Sequence, residues 1–204
     1  MLPNCLLRKI EAYQGTPYTR LALKLMTLTF VRTGELIGAR WQEFDIDRAE
    51  WRIPATRTKS RREHLVPLSR QSLEVLGTLR AVYHDPQHSG QGDALLFPGE
   101  RDHTKSISDN TILKALEIMG YKGRMTGHGF RGVASTALNE MGYRPDVIEA
   151  QLAHVEESRV RAAYNHARYV EERRDLMQEW TDCLDVACQT GKVIPFAHGR
   201  KKAA

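Results

Sequence analysis

Thr126-Gly127-His128-Gly129-Phe130-Arg131 opens a helix and sets the reading of the chain around it. His128 and Arg131 are three residues apart, and at a helix start that spacing projects both side chains from one face. Gly127 and Gly129 let the backbone come close to another group there. An imidazole beside a guanidinium suits a phosphate. The arginine offers two parallel hydrogen bonds to nonbridging oxygens, and the histidine can pass a proton. A His-x-x-Arg pair alone is a weak signal, so its surroundings decide what it means.

Downstream, Phe130, Ala134, Ala137, Leu138 and Met141 give an apolar face to a helix over about 129–141, with Gly142 as its stop. Pro145 starts a short helix to Leu152. One or two turns follow over Glu157 to Ala163. A last helix over about 167–186 carries Val170, Leu176, Met177, Trp180 and Leu184. Upstream, residues 5–14 and 18–31 read as helices, the second from the spacing of Leu21, Leu25 and Leu28. Arg32 falls at or just beyond its end, and Gly34 and Gly38 are expected to break the helix there. Trp41 to Ile46, Trp51 to Ile53 and His64 to Leu68 read as three strands joined by short charged turns, hence an antiparallel sheet with Lys59 at a hairpin tip. Ser69 or Ser72 caps a helix to about Tyr83, with Leu73, Leu76 and Leu79 inward. His84 to Arg101, rich in proline and glycine, is a loop. Ser108 caps a helix bearing Ile112, Leu116 and Met119, which Gly120 ends. The expected fold class is mainly α with a small three-stranded antiparallel β-sheet.

At 204 residues, the chain is long enough for one domain with a real core, or two very small ones. Its 41% hydrophobic and 27% charged residues are ordinary for a soluble protein. It holds no apolar run of about 18 residues for a membrane span. Nor does its start look like a signal peptide, so a cytoplasmic location is the expectation. Cys5, Cys183 and Cys188 form neither a zinc spacing nor a disulfide framework. His84 and His88 are spaced like a helical ligand pair, but Pro86 spoils the helix, which argues against a metal hydrolase. The net charge of +5 suits a polyanionic partner, and its distribution says more than its size. Arg57, Lys59, Arg61 and Arg62 crowd one segment, Arg124 and Arg131 flank His128, and Arg159 and Arg161 precede Tyr164. Any one such cluster reads as a solvated face. Arg57, Arg61, Arg62 and Arg124 are the residues expected to lie against a polyanion.

Four further residues, with Glu35 in support of one, extend the phosphate reading. Arg32 would complete a clamp on a phosphorane, whose extra negative charge is best met by preorganised positive charge. Glu35, three residues on, could orient it. Lys59 could protonate a departing oxygen if neighbouring cations lower its pKa. Tyr164 could attack phosphorus and conserve the bond energy as a phosphotyrosyl ester, with Tyr143 and Tyr169 as its nearby competitors. His154 could donate to a nonbridging oxygen. Each has a plain alternative: a surface ion pair for Arg32, a solvated hairpin for Lys59, an amphipathic tyrosine for Tyr164, a capping histidine for His154.

The order Arg32, Lys59, His128, Arg131, His154, Tyr164 resembles the catalytic domain of the tyrosine recombinases, the phage and prophage integrases. It resembles them in the local strings Val31-Arg32-Thr33-Gly34-Glu35-Leu36, His128-Gly129-Phe130-Arg131, Leu152-Ala153-His154 and Ala162-Ala163-Tyr164-Asn165. Trp41, Trp51-Arg52-Ile53-Pro54, His64-Leu65-Val66-Pro67-Leu68-Ser69, Leu96-Phe97-Pro98 and Val147-Ile148-Glu149-Ala150-Gln151 look like the prophage branch, so the likeness runs over roughly residues 5–185. Thr33 departs, standing where many relatives have proline.

The resemblance implies residues 1–188 as the integrase catalytic domain and 189–204 as a flexible basic tail. It implies that the family's N-terminal arm-binding and core-binding modules are absent from this chain. It implies attack by Tyr164 on duplex DNA to give a 3′-phosphotyrosyl link and a free 5′-hydroxyl. Arg32, Arg131 and His154 would hold the nonbridging oxygens, His128 would be base or proton relay, and Lys59 the acid. Strand exchange would involve four protomers on double-stranded DNA, the free chain being a monomer, and would need neither metal nor other cofactor. The C-terminal helix would carry the protomer contact, with Trp180 as its anchor or as a core residue. The alternatives are a type IB topoisomerase-like nicking and relaxing activity and a noncatalytic DNA-binding remnant.

Overall fold

The computed structural model describes residues 3–82, 93–153 and 169–190. Among them are α1 (Pro3–Glu11), α2 (Pro17–Thr29), α3 (Thr33–Ile37), β1 (Phe44–Asp45), β2 (Glu50–Ile53), β3 (His64–Pro67), α4 (Arg70–Val82), α5 (Asp109–Ile118), α6 (Gly127–Glu140), α7 (Pro145–Gln151) and α8 (Val170–Thr190). The sheet runs β1-β2-β3, both pairings antiparallel, with Trp51 opposite Val66 and Ile53 opposite His64. The fold is therefore mainly helical with a three-stranded antiparallel sheet, as the sequence implies. No helix among the described residues is long and apolar enough to cross a membrane.

The core is built around α2. Thr16 caps it by accepting from the Thr19 amide at 3.2 Å, and Pro17 supplies a preset φ in its first turn. Ala22, Leu23, Leu25 and Met26 are fully buried, so this helix is covered on several sides rather than along one stripe. It meets α1, α4, α5, α6 and α8. Trp180 of α8 is buried against it. The indole N–H donates to the Thr27 carbonyl at 3.0 Å, and the ring meets Phe30 edge-on at 6.0 Å. In this molecule Trp180 is thus a core residue. Ser69, not Ser72, caps α4, accepting from the Ser72 amide at 3.3 Å. Gly120 and Gly142, both at φ 85°, end α5 and α6 in the left-handed conformation that glycine adopts most readily.

Four expectations need correction. Residues 41–46 are not one strand: Trp41–Glu43 is a 3-10 turn, and only Phe44 and Asp45 pair. The turn swings the Glu43 carboxylate inward to the Trp51 indole N–H at 2.9 Å, and the apolar pattern read as a strand instead comes from Trp41 packing on Phe44 and Phe44 stacking on Trp51. Gly34 and Gly38 do not break the helix either. Phe30, in the left-handed region at φ 40°, ends α2, and Gly34 and Gly38 then sit inside and just after the short α3. The expected loop is partly tied down, since Leu95 bridges to Arg40, Pro98 bridges to Ser106, and Leu96 and Phe97 are buried. Lastly, α8 runs to Thr190, four residues past its expected end. The remainder of the expected tail, residues 191–204, lies outside the described residues, as do His84 and His88.

Candidate active site

Arg32 precedes α3 in an extended conformation, and the Glu35 carboxylate folds back onto it. Glu35 Oε2 accepts the Arg32 backbone N–H at 3.0 Å, and Oε1 accepts from Nη1 at 2.9 Å. Glu35 is itself only 2% exposed, which makes it a rigid support for a guanidinium that stays about a quarter exposed at 24%. The remaining arm of Arg32, Nη2, donates to the Ala153 carbonyl at 3.2 Å. Glu35 thus holds Arg32 through two hydrogen bonds.

Arg131 lies in the first turn of α6 and is buried. Its Nη1 donates to the Phe30 carbonyl at 3.1 Å and its Nη2 to the Leu152 carbonyl at 2.5 Å. Nε is buried with no acceptor among the described residues. Burial first, and the neighbouring Arg32 second, depress its pKa to about 10, so it remains a cation at neutral pH. The carboxylates of Glu35 and Glu149 offset this only in part. An anion brought to Arg32 and Arg131 would offset more of it.

His128 does not share the burial of Arg131. It is exposed at the helix start, while Arg131 turns inward to two backbone carbonyls. The N-terminus of α6 abuts that of α3: a side chain at Gly127 would strike Thr33 Oγ1, 2.0 Å from an ideal Cβ. Gly127 is therefore required by the close approach of the two helices. Thr33 fills the first position of α3, where a proline is also readily accommodated, so the departure from the family pattern is absorbed locally.

The β2–β3 connection carries the expected basic cluster, but its arginines have different surroundings. Arg57 grips Glu43 with two arms, at 3.0 and 2.5 Å, and donates to the Glu35 carbonyl at 3.1 Å. It braces this connection against α3 rather than offering its charge outward. Thr58 is buried and closes the turn by donating to the Arg62 carbonyl at 2.7 Å. Lys59 and Arg61 are exposed, and Arg62 is half-buried. Arg124 is exposed too, its guanidinium 5.9 Å from the Tyr121 ring centre.

His154 and Tyr164 lie outside the described residues. Both competing tyrosines are described. Tyr143 is buried and donates to Glu179 at 2.6 Å, and burial together with that carboxylate pushes its pKa far above the ordinary phenol range. Tyr169 is buried and accepts from Arg144 at 3.4 Å. Neither presents a phenol to solvent. Among the described residues, no group of three or more histidine, cysteine or carboxylate side chains is arranged to hold a metal ion.

Three buried polar residues escape a reading of the sequence: His64, Gln151 and Arg173, none more than 1% exposed. Arg173 leaves a trace there. It falls on the same helical face as Leu176, Met177, Trp180 and Leu184, where an arginine is out of place. His64 in a strand and Gln151 at a helix end leave none.

These features define a mainly helical domain with a cationic centre where α3, α6 and the end of α7 meet. The sequence model of the phage integrase family matches residues 5–171. The chain belongs to the phage integrase family, as the likeness in its motifs implies. It is 46% identical over 196 residues to the integrase of Enterobacteria phage P4, covering 88% of this chain and 43% of that protein. It is 41% identical over 176 residues to the prophage integrase IntA of Escherichia coli (strain K12), covering 86% and 41%. The chain therefore spans less than half the length of these curated relatives. Among solved structures, it superposes on the integrase of mycobacterium phage Brujita with TM-score 0.63 at 16% identity, covering 87% of this chain and 56% of that one. It superposes on the XerH site-specific recombinase bound to its difH substrate with TM-score 0.60 at 17% identity, covering 83% and 49%. At such identities these two likenesses concern the fold alone.

Proposed function

We propose that this chain is the catalytic domain of a site-specific DNA recombinase that integrates or excises mobile DNA by transesterification. The observation that carries the reading is the convergence of Arg32 and Arg131 on adjacent backbone carbonyls, with Glu35 bonded to Arg32 and one buried donor, Arg131 Nε, left over. Two preorganised guanidiniums close to one another suit a phosphodiester whose charge grows in the transition state. Family membership supports the same reading.

In this mechanism the Tyr164 oxygen attacks the scissile phosphorus as His128 takes its proton. Arg32, Arg131 and His154 hold the nonbridging oxygens. The bond to the 5′ oxygen breaks, and Lys59 supplies that oxygen with a proton. The product is a 3′-phosphotyrosyl ester with a free 5′-hydroxyl. Attack by a second strand's 5′-hydroxyl reverses the step, which requires neither metal nor nucleotide. Arg61, Arg62 and Arg124 meet the DNA backbone, while Arg57 supports them from within. Exchange takes place between four copies on DNA. Residues 1–188 are assigned to the catalytic domain.

The test is a nicked duplex whose short cleaved strand diffuses away, incubated with the protein in chelator. A denaturant-stable adduct is the expected result. Binding without an adduct, in this chain and in a longer one, would leave a DNA-binding module and overturn the catalytic reading.

A further inference from the structure

Gln151, the last residue of α7, is where two other elements take hold. Its backbone carbonyl lies 3.0 Å from Nε2 of His64 on β3. Its side-chain oxygen accepts from Nε and Nη2 of Arg173 on α8, at 2.9 and 2.8 Å. Arg173 is fully buried and also donates to the Leu65 carbonyl of β3. Nδ1 of His64 stands 4.0 Å from Glu35 Oε2, the oxygen that receives the Arg32 backbone N–H. Thus β3 and α8 both bear on Gln151, and His64 of β3 in turn stands beside Glu35 of α3. The next two residues, Leu152 and Ala153, supply the carbonyls that hold Arg131 and Arg32. Ala153 sits in the left-handed region at φ 48°, so the chain turns sharply where those carbonyls are aimed.

This arrangement is a poor way to gain stability. Among the described residues no carboxylate pairs with Arg173, and its Nη1 and the Gln151 Nε2 are buried without acceptors. A buried cation in such surroundings is commonly less stabilising than apolar side chains of similar volume. What it does provide is register. Bonds from Arg173 to Gln151 and to Leu65 can all form at one placement of α7 against β3 and α8. A displacement of about 1 Å at a site holding reacting groups can cost about a hundredfold in rate.

We propose that His64, Gln151 and Arg173 form a positioning unit that fixes the end of α7 and, through the Leu152 and Ala153 carbonyls, sets Arg32 and Arg131 relative to each other. The proposal rests on the phosphate-binding role given to that pair above. None of the three touches DNA. They act through the two arginines.

The test replaces the buried polar pair by apolar residues, Gln151→Leu with Arg173→Met, an exchange that a core tolerates. Three quantities are read: the single-turnover rate of adduct formation, the affinity for the same duplex, and the Nε–Hε nuclear magnetic resonances of the arginines. The expected result is a folded protein that binds DNA within about threefold of the parent but forms adduct about 10- to 100-fold more slowly, with the Arg131 resonance displaced. Gln151→Glu, which keeps an acceptor for Arg173, is expected to restore most of the rate. A folded double variant with parental rate and unmoved resonances overturns the proposal. If the double variant fails to fold, Arg173→Lys decides. A lysine has no planar fork to bridge Gln151 and Leu65, so a slowed adduct supports the proposal and a parental rate overturns it. If neither the parent nor a longer chain forms an adduct, the recombinase reading fails, and the displaced or unmoved Arg131 resonance still decides the positioning claim.

Discussion

Arg32 and Arg131 are ninety-nine positions apart in sequence, yet they donate to the carbonyls of Ala153 and Leu152, consecutive residues at the end of α7. Their separation is therefore set by one peptide unit rather than by the independent positions of two helices. Burial first, and the like charge of Arg32 second, hold the Arg131 pKa below its ordinary value. An arriving phosphate counters that like charge, and rigid donors need little reorganisation as its charge develops.

Arg131 should be sensitive even to a charge-conserving change. Arg131→Lys keeps a cation but cannot reach the Phe30 and Leu152 carbonyls together. Adduct formation is expected to fall about 100- to 1000-fold while DNA affinity changes little. Single-turnover cleavage and fluorescence anisotropy on one labelled duplex measure both.

Glu35→Gln tests the orienting carboxylate. The amide oxygen can accept only one of the two hydrogen bonds that Glu35 takes from Arg32 without rearrangement. A loss of about 1–3 kcal/mol in urea unfolding is expected, together with cleavage slowed about 10- to 100-fold. Parental cleavage by a destabilised variant would show that Glu35 serves the fold alone.

The basic residues of the β2–β3 connection should separate by type of effect. Arg57→Ala leaves the buried Glu43 carboxylate without its two-armed partner and should destabilise the fold by about 2–4 kcal/mol. The salt dependence of DNA binding should barely change. Arg61→Ala and Arg62→Ala should do the reverse, each reducing the slope of log K against log salt by about one with little change in stability. Paired urea and salt titrations distinguish the two patterns.

Alkaline pH reports on Tyr143. Its folded pKa is raised by burial and by Glu179, so its contribution to stability is full below the ordinary phenol value near 10 and is lost as pH rises above it. Arg131 and Arg173, each depressed to about 10, act in the opposite sense, because the unfolded chain holds their protons to higher pH. The informative quantity is accordingly the difference between parent and Tyr143→Phe. The variant should lose stability less steeply above pH 10. Identical slopes in urea titrations across that range would show that the Tyr143 phenol is not held protonated by the fold.

Much of the architecture is legible in the sequence where local pattern and tertiary environment agree. The strands at Trp51 and His64, and the glycine stops at Gly120 and Gly142, are cases of this kind. The pattern misleads at Trp41 to Ile46, where aromatic packing onto Trp51 imitates strand alternation. It misleads again at Gly34, because a carboxylate three residues from Arg32 supports a helix that glycine composition argues against. Arg57 and Arg61 cannot be told apart by composition, since the difference lies in a carboxylate fourteen positions before Arg57. For the candidate site, Arg32 and Arg131 stand out through their order and surrounding strings. The buried connections through His64 and Gln151 depend on strand-to-helix contacts that no local spacing records.

The central claim is that a tyrosine on this chain becomes covalently joined to DNA, and peptide mapping of the trapped adduct tests it most directly. After digestion of the adduct by nuclease and trypsin, mass spectrometry should find a residual nucleotide on the peptide from Ala162 to Arg168, at Tyr164. The modification should be absent in Tyr164→Phe and insensitive to chelator. A nucleotide on Tyr143 or Tyr169, or an adduct that persists in Tyr164→Phe, would contradict the account.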